Sequence, residues 1–338
     1  MTGKNLRVAV VGAGLMGADH ITRITNKIAG ADVVSVVEPD AARAAAAVAG
    51  LPRASTRSRI EDAIEHDNLD AVLIATPGRF HEPVLYPALE AGLSILCEKP
   101  LTPDSASSLQ VLEAEQTLDR PHIQVGFMRR FDDEYIALRE LVVSGDAGAL
   151  LLLKCAHRNP STAPDYTESM LITDSVVHEF DIVPWLAGER IVSVEVRKPR
   201  RNSLAPSGMN DPQLVYIELE SGAIADVEIN VNAQFGYQVA TEAVFERGVA
   251  EIGRTAGLKL WQGGRFSGAE HLSFKTRFAA AYDSQIQRWV DAAHRGTIDG
   301  PSAWDGYLVA AACEAGVEAQ RSGKRVDVTT IAKPAFYN

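Results

Sequence analysis

The segment 173–186 combines an acid and a histidine at a spacing that suits proton transfer. Asp174 precedes His178 by four residues, and the apolar run that follows indicates an amphipathic helix. Side chains four apart meet on one helix face, and a carboxylate beside an imidazole fixes its tautomer and raises its basicity. We interpret His178 as a candidate general base with Asp174 as its partner. The alternative is an N-cap aspartate beside a buried histidine, and Asp181 could brace the helix or contact that histidine.

A glycine-rich turn follows the first predicted strand, 7–11, and opens a helix. It reads Gly12-Ala-Gly14-Leu-Met-Gly17, a full GxGxxG pattern. Gly12 permits the tight turn, Gly14 lets the backbone approach a pyrophosphate, and Gly17 lets helix and strand pack closely. The helix N-terminus offers free N–H donors to the phosphates. The pattern predicts a dinucleotide site, with contacts from Gly12, Ala13, Gly14, Leu15 and Met16.

Glu38 ends the second predicted strand, 21 residues after Gly17. At this position a carboxylate accepts hydrogen bonds from the adenosine ribose hydroxyls and repels a 2′-phosphate. We therefore expect NAD as the cofactor in preference to NADP. Arg43 stands nearby on the following helix and weakens that preference. A solvated acid at a strand end is the alternative for Glu38.

Two further predicted strands end in polar residues. One ends in Ala75-Thr-Pro77, with His81 beyond it, and the next ends in Cys97-Glu98-Lys99-Pro100. Ligands of open α/β sheets bind at the carboxyl ends of strands. Lys99 could bring three donors to a substrate oxygen, and its charge would lower the pKa of a hydroxyl being oxidised. We expect cofactor contacts from Ala75, Thr76, Pro77, His81, Glu98 and Lys99.

The alternatives at these two strand ends are structural. Glu98–Pro100 could be a surface turn, and His81 could be a capping or core histidine. His157 and Asn159 stand at the end of a later predicted strand, and their spacing of two residues places both side chains on the same face of it. They could hydrogen-bond one face of a polyol, and a polar strand end is the alternative.

Several larger side chains could line a pocket. Met128 is expected either in the core or in the wall of a pocket. Arg129 could be solvated or ion-paired. Tyr237 and Tyr282 each combine an apolar ring with a polar hydroxyl, so each could wall a pocket or fill a core. We place Arg129 and Tyr282 among the expected cofactor contacts.

Apolar β-branched runs alternate with helical patterns from Leu6 to about Phe127. The runs are 7–11, 32–37, 70–75, 93–97 and 122–125, and the helical patterns are 15–29, 40–49, 58–66, 82–91 and 104–118. Continuous apolar strands separated by helices indicate a parallel sheet covered on both faces. We predict an α/β Rossmann domain with a doubly wound parallel sheet over 1–128.

The pattern changes after Phe131. Longer alternating runs lie at 149–157, 191–198, 214–220, 223–231, 239–246 and 259–261, with helical patterns at 132–144, 175–187, 278–294 and 303–321. Such alternation is typical of an antiparallel sheet with one packed face. We predict an α+β C-terminal domain over 129–338, with a large open, mainly antiparallel sheet.

Composition excludes several classes of protein. The 338 residues are 46% hydrophobic and 23% charged, as in ordinary globular proteins. The net charge of −11 argues against nucleic acid and anionic membranes as partners, because both bind basic surfaces. Cys97, Cys155 and Cys313 form no CxxC pair, so we expect reduced core thiols and no metal site. No signal-peptide pattern and no apolar run of ~18 residues is present, so we expect a cytoplasmic protein.

Four of these motifs carry a resemblance to a known family. In order and spacing they are Gly12–Gly17, Ala75–Pro77 with His81, Glu98–Pro100, and Asp174 with His178. Over essentially the whole chain, the sequence resembles the Gfo/Idh/MocA family of sugar and cyclitol oxidoreductases. The segments 124–132 and 277–282 look more narrowly like the inositol 2-dehydrogenases of that family.

The resemblance implies a division of roles among the residues. The family's catalytic trio falls on Lys99, Asp174 and His178. The resemblance also implies a Rossmann domain followed by an open-sheet domain, which commonly forms homo-oligomer contacts, often in a tetramer. In the inositol-oxidising members, the substrate pocket would also include Met128, His157, Asn159, Thr173 and Tyr237.

The reaction that this resemblance implies is the NAD-dependent oxidation of a ring secondary alcohol. The expected substrate is myo-inositol, oxidised at C2 to 2-keto-myo-inositol (scyllo-inosose), with His178 as base. One alternative is a dehydrogenase for scyllo-inositol, glucose or another polyol or sugar derivative. A second is a non-catalytic NAD(H)-binding sensor. A third is a member that recycles hydride on tightly held NADP, which Glu38 disfavours.

Overall fold

The computed structural model describes residues 4–254 and 256–338. They form two compact units. The first comprises the described residues up to Phe127, together with Tyr282–Ala310 and Ile331–Asn338, and the second comprises Met128–Ala281 and Ala311–Thr330. The division into 1–128 and 129–338 therefore needs a correction, because two later segments return to the first unit.

The first unit contains a six-stranded sheet. Its strands are β1 (Leu6–Val11), β2 (Ala31–Val37), β3 (Ser55–Arg57), β4 (Ala71–Ile74), β5 (Ser94–Cys97) and β6 (Ile123–Val125). Between them lie helices α1 (Leu15–Asn26), α2 (Ala41–Ala47), α3 (Ile60–His66), α4 (Glu82–Glu90) and α5 (Ser105–Glu115), and a 3₁₀ turn at Gly78–Phe80. The strand order is β3-β2-β1-β4-β5-β6 and every pair is parallel. This confirms the doubly wound Rossmann prediction.

The second unit contains a seven-stranded sheet and a separate hairpin. After a 3₁₀ turn at Met128–Phe131, its helices are α6 (Asp133–Ser144), α7 (Val177–Ala187) and α8 (Phe274–Arg277). The strands are β7 (Leu150–Arg158), β8 (Ile191–Arg197), β9 (Gln213–Leu219), β10 (Ile224–Asn230), β11 (Gln238–Phe245), β12 (Gly248–Ile252), β13 (Ala256–Gln262), β14 (Arg265–Ala269) and β15 (Val326–Asp327). Helices α9 (Ala279–His294) and α10 (Ala303–Ser322) and a 3₁₀ turn at Ala335–Tyr337 complete the chain.

The large sheet of the second unit has the order β12-β11-β7-β10-β9-β8-β15, and β13 pairs with β14. Only β7 and β10 run parallel, while the other neighbours are antiparallel. Along β9, buried residues alternate with half-buried ones, so one face of the sheet packs on the core. The predicted open, mainly antiparallel sheet is confirmed.

Helix α9 explains why a late segment belongs to the first unit. Ile286, Trp289 and Val290 are buried in the same core as the strand residues Val8 and Val10. Burial of side chains of this size contributes roughly 1.5–3 kcal/mol each. The prediction missed this return because a helical pattern does not say which sheet its apolar face covers.

The helix that carries His178 begins earlier than the prediction of 175–187. Leu171–Val176 forms a π-helical segment that continues directly into α7. Asp174 therefore lies inside a helical turn and is not its N-cap, which corrects the alternative interpretation of this residue. π-Helical turns are rare and occur frequently at functional sites.

None of the helices in residues 4–254 and 256–338 has the length and apolar character that crossing a bilayer requires. The thiols of Cys97, Cys155 and Cys313 are buried, as predicted. Burial raises the pKa of Cys155 to about 12, so the unreactive thiol form dominates at neutral pH.

Strand β3 is an edge strand that the sequence pattern missed, and an ion pair fastens it. Asp67, just after α3, accepts hydrogen bonds from Arg57 Nη2 at 2.6 Å, Arg57 Nε at 3.0 Å and Ser55 Oγ at 2.7 Å. The hydrogen bonds from Arg57 outweigh burial and lower the pKa of Asp67 from 3.8 to about 2. The charged form is therefore favoured by folding.

We expect Asp67→Asn to lower the free energy of unfolding at pH 7 by about 1–2 kcal/mol. Because the folded-state pKa is depressed, the contribution of the carboxylate is present above pH 3.8 and is lost as the pH falls through 2. Urea unfolding of both proteins at several pH values measures this. The difference between them should shrink as the pH approaches 2, and a constant difference would contradict the ion-pair explanation.

Candidate active site

The glycine turn after β1 has the geometry of a phosphate-binding loop. Gly12 has φ +88°, and a Cβ there would lie 2.9 Å from the carbonyl oxygen of Ala75. A Cβ on Gly17 would lie 1.8 Å from the carbonyl oxygen of Gly12. At Gly14, in contrast, a Cβ would meet no protein atom within 4 Å. The space before Gly14 at the start of α1 is therefore open, as close approach of a pyrophosphate requires.

Glu38 lies at the end of β2, beside this turn. Its Oε2 accepts a hydrogen bond from the backbone N–H of Ala13 at 3.0 Å, and its Oε1 accepts one from Asp40 at 3.1 Å. The half-exposed Arg43 Nη1 lies 3.4 Å from both oxygens. Each carboxylate oxygen can accept two hydrogen bonds. Ribose hydroxyls can therefore replace the long contacts from Arg43.

The residues at the end of β4 lie beside the glycine turn and form a further part of the candidate cofactor site. Ala75 donates its N–H to Val11 at 2.8 Å, which fixes the strand end beside the glycine turn. Thr76 Oγ1 is buried and has no hydrogen-bond partner among the described residues. An open space before Gly14, an acid at the end of β2 and this unsatisfied hydroxyl all fit a bound dinucleotide.

His81 has a structural role in the loops that follow β4 and β5. Its side chain is fully buried. Nδ1 lies 2.8 Å from the carbonyl oxygen of Pro100, and Nε2 lies 2.8 Å from that of Thr76. Because no part of the ring reaches the surface, His81 braces the loops after β4 and β5 against each other. Its direct contact with the cofactor stays a prediction.

Lys99 follows β5 and is half-buried. The preceding Glu98 is held from two sides, since its Oε1 lies 2.8 Å from Nε2 of the buried His20 and its Oε2 accepts the N–H of Lys99 at 3.3 Å. A Cβ on Gly126 would lie 3.1 Å from the Glu98 carboxylate, so this glycine makes room for the acid. These contacts fix the turn from which Lys99 projects.

Tyr282 lies in the first unit beside His20. The two rings meet edge-on with centroids 6.0 Å apart, and the guanidinium of Arg23 lies 5.2 Å from the tyrosine centroid. Tyr282 is buried, so it fills the core at this point. Its contact with the cofactor stays a prediction.

Consecutive arginines of the turn Met128–Phe131 anchor two buried acids of α7 on either side of Phe180. Arg129 Nη1 donates to Glu179, and Arg130 donates to Asp181 from Nη2 at 2.6 Å and from Nε at 3.1 Å. Asp181 therefore braces the helix, which is one of its two predicted roles. The Arg129 guanidinium is only 1% exposed, and its charge is paired with Glu179. The structure thus gives Arg129 a structural role, and its contact with the cofactor stays a prediction.

Glu179 is the acid that the sequence analysis missed. Burial opposes its ionisation, but the charge of Arg129 and the hydrogen bond with His157 hold the pKa of Glu179 well below its usual range. His157 Nδ1 lies 3.0 Å from Glu179 Oε2. The available signal was a pair of carboxylates, Glu179 and Asp181, at the start of the otherwise apolar run that follows His178.

Several predicted substrate residues of the second unit lie together. The His157 ring lies 6.3 Å from the ring of His178 and 6.5 Å from that of Tyr237, centroid to centroid. Tyr237 packs edge-on against Phe278 at 6.4 Å. It is buried, and burial raises its pKa. The structure therefore brings a base candidate, an imidazole and a phenol side by side.

The remaining predicted substrate residues differ in exposure. Asp174 is exposed and His178 half-buried, whereas Met128 is buried. Thr173 is half-buried and donates its hydroxyl to the Ser169 carbonyl at 3.3 Å. Asn159 Oδ1 is buried and accepts no hydrogen bond from the described residues, so it can accept one from a ligand. Within residues 4–254 and 256–338, no group of three or more His, Cys, Asp or Glu side chains could hold a metal ion.

Comparisons of the sequence with known proteins identify the family to which the chain belongs. Residues 6–127 match the model of an oxidoreductase family with an NAD-binding Rossmann fold, and residues 135–251 match the GFO/IDH/MocA C-terminal domain. The chain is 64% identical to an inositol 2-dehydrogenase of Corynebacterium glutamicum (strain R), and the match covers 99% of each chain. It is 63% identical to an inositol 2-dehydrogenase of Leifsonia xyli subsp. xyli, again over 99% of each.

Solved structures of similar fold include two inositol dehydrogenases. The myo-inositol dehydrogenase of Lactobacillus casei, crystallised with NAD(H) and myo-inositol, has a TM-score of 0.95 and 33% identity, covering 99% of this chain and 100% of that one. A scyllo-inositol dehydrogenase of Lactobacillus casei with NAD(H) and scyllo-inositol has a TM-score of 0.87 and 27% identity, covering 96% and 99%.

We expect Gly14→Thr to abolish tight dinucleotide binding without harming the fold. Threonine and glycine are similarly good N-caps, so the free energy of unfolding should change by no more than about 0.5 kcal/mol. NADH fluorescence titration should show a dissociation constant raised at least roughly tenfold, because the side chain fills the space that the phosphates need. The matched variant Gly17→Ala should instead destabilise the protein. Unaltered NADH affinity in Gly14→Thr would contradict this assignment.

Proposed function

Because the chain belongs to the Gfo/Idh/MocA oxidoreductase family, we propose that it oxidises myo-inositol at C2 to 2-keto-myo-inositol (scyllo-inosose). It is an NAD-dependent oxidoreductase that acts on a secondary alcohol. The observation that carries the substrate assignment is the full-length match to relatives named inositol 2-dehydrogenase. The imidazole and phenol groups gathered around His178 support it, because a polyol needs several hydrogen-bonding partners.

His178 acts as the general base in this proposal. Its imidazole takes the proton of the C2 hydroxyl, and Asp174 orients the ring and stabilises the positive charge that develops on it. The pairing of Glu179 and Asp181 with consecutive arginines supports this role, because α7 is then held rigidly in the turn that directly follows the base.

Lys99 binds the reacting oxygen. Its ammonium group donates hydrogen bonds to the hydroxyl and stabilises the negative charge that develops there as the proton leaves. The contacts of Glu98 with His20 and with the Lys99 backbone support a fixed position for this group. When bound, NAD supplies the acceptor for the hydride that leaves C2. Gly12–Met16 and Glu38 hold that cofactor at the edge of the first sheet.

The other predicted pocket residues hold the remaining hydroxyls and the ring. His157, Asn159, Thr173 and Tyr237 provide donors and acceptors, and Met128 provides an apolar contact. The unsatisfied Oδ1 of Asn159 supports this role, because a substrate hydroxyl would satisfy it.

The second candidate function is the oxidation of another cyclitol or sugar. The scyllo-inositol dehydrogenase of similar structure favours this candidate over unrelated substrates. A non-catalytic NAD(H) sensor is disfavoured, because a pure binder has no use for Lys99, Asp174 and His178. Initial rates over myo-inositol, scyllo-inositol, glucose and glycerol, each with NAD and with NADP, test the proposal. The highest kcat/KM should occur with myo-inositol and NAD, and a preference for another substrate would overturn the assignment.

A homotetramer in the cytoplasm belongs to the same proposal. Buried cysteine thiols support a reducing compartment. The tetramer follows from the family resemblance, which implies subunit contacts through the large sheet, and light scattering of the purified protein measures the assembly.

We expect His178→Ala to lower kcat for myo-inositol by roughly 10²–10⁴-fold, because proton abstraction loses its base. The NADH dissociation constant should not change. His66→Ala, which removes an exposed histidine of α3, is the control and should keep full turnover. Turnover of His178→Ala close to that of the wild type would remove His178 as the base.

A further inference from the structure

A buried charge cluster in the second unit is not explained by the mechanism above. Its members are Arg129, Glu179 and His157, which are exposed by 1%, 1% and 3% respectively. Arg129 Nη1 donates to Glu179 Oε1. His157 Nδ1 lies 3.0 Å from Glu179 Oε2 and 3.2 Å from Arg129 Nη2. One imidazole nitrogen thus faces an anion and a cation at once.

The protonation of Nδ1 decides which of these contacts is attractive. A protonated Nδ1 donates to the carboxylate, whereas a bare Nδ1 accepts from the guanidinium and turns its lone pair towards the carboxylate oxygen. The contact with Glu179 is the shorter one, and a carboxylate is a stronger acceptor than an imine nitrogen. The guanidinium of Arg129 already binds the other Glu179 oxygen, so its charge is balanced without His157. A proton on Nδ1 therefore fits the cluster better.

The other nitrogen of the His157 ring has a different environment. Nε2 has no hydrogen-bond partner among the described residues. In the neutral ring with a proton on Nδ1, Nε2 carries a lone pair and is an acceptor. The neighbouring rings are those of His178 and Tyr237. An acceptor beside the base candidate is suited to a hydroxyl donor of a polyol.

We propose that Glu179 is a positioning residue, which holds His157 in the Nδ1–H tautomer so that Nε2 accepts a hydrogen bond from a cyclitol hydroxyl. This rests on the proposed function, because it takes His157 as a substrate contact. Arg129 keeps the buried Glu179 ionised, and Glu179 in turn holds the proton on Nδ1, so that Nε2 is left as an acceptor. His157 thereby selects a substrate that has a hydroxyl able to donate a hydrogen bond to Nε2.

A double-mutant cycle on KM for myo-inositol tests whether Glu179 acts through His157. The variants are Glu179→Gln, His157→Gln and the two combined, measured in the full chain with saturating NAD. Glu179→Gln should raise KM at least tenfold and change kcat by a smaller factor. In the His157→Gln background the same substitution should change KM less than twofold. Equal effects of Glu179→Gln in both backgrounds, or an unchanged KM in Glu179→Gln alone, would overturn the proposal.

Asp67→Asn is the matched control for the loss of stability that follows when a buried, ion-paired carboxylate is neutralised. Asp67 pairs with Arg57 in the first unit and does not belong to the cluster. It should lower stability while leaving KM for myo-inositol within twofold of the wild type. A rise in KM in this control equal to that of Glu179→Gln would show that the effect is one of stability, and the proposal would fail.

Nitrogen-15 NMR of the wild-type protein with bound NADH tests the tautomer without any variant of Glu179. Labelled histidine, with His157 assigned by its absence in His157→Gln, should give a protonated Nδ1 and a bare Nε2. A bare Nδ1 with a protonated Nε2 would overturn the proposal even if Glu179→Gln fails to fold. The tautomer can be measured whether or not the protein oxidises myo-inositol, so failure of the proposed function is recognised separately in the rate assays.

Discussion

Helix α1 packs against the turn after β1 so closely that no side chain fits between them, and the cofactor site depends on this contact. A Cβ on Gly17 would overlap the carbonyl oxygen of Gly12. The first N–H groups of α1 are therefore held at the carboxyl edge of the sheet, where Glu38 follows β2 and Lys99 lies in the turn after β5. Because Gly14 adds no side chain there, backbone donors, a carboxylate and an ammonium group become available to ligands at one edge.

In the second unit, buried ion pairs hold the helix that carries His178 in place. Arg129 and Arg130 are consecutive, and their acids Glu179 and Asp181 lie in the first two turns of α7. Buried ion pairs add little net stability, because desolvation offsets the attraction between the charges. Their value here is orientation, since they fix the backbone that directly follows His178. A helix held only by apolar packing would leave the ring more freedom.

The sequence predicts those parts of the molecule whose cause is local. Strand β1 is a continuous apolar run and the glycine turn has a fixed spacing, so both could be inferred. The three-residue strand Ser55–Arg57 has no apolar residue, and its pairing depends on Asp67. Glu179 was missed for a similar reason, because its partner Arg129 stands 50 residues away in the chain. The burial of a charged residue depends on such distant partners, which local patterning does not contain.

The proposed function depends on the transfer of a hydride from C2 of myo-inositol to NAD. Incubation with myo-inositol deuterated at C2, followed by mass spectrometry of both products, measures this directly. We expect one deuterium in each NADH formed and none at C2 of the 2-keto-myo-inositol, because that carbon has become a carbonyl. Unlabelled NADH together with a ketone that still carries the deuterium would show that another carbon is oxidised, and would contradict the account.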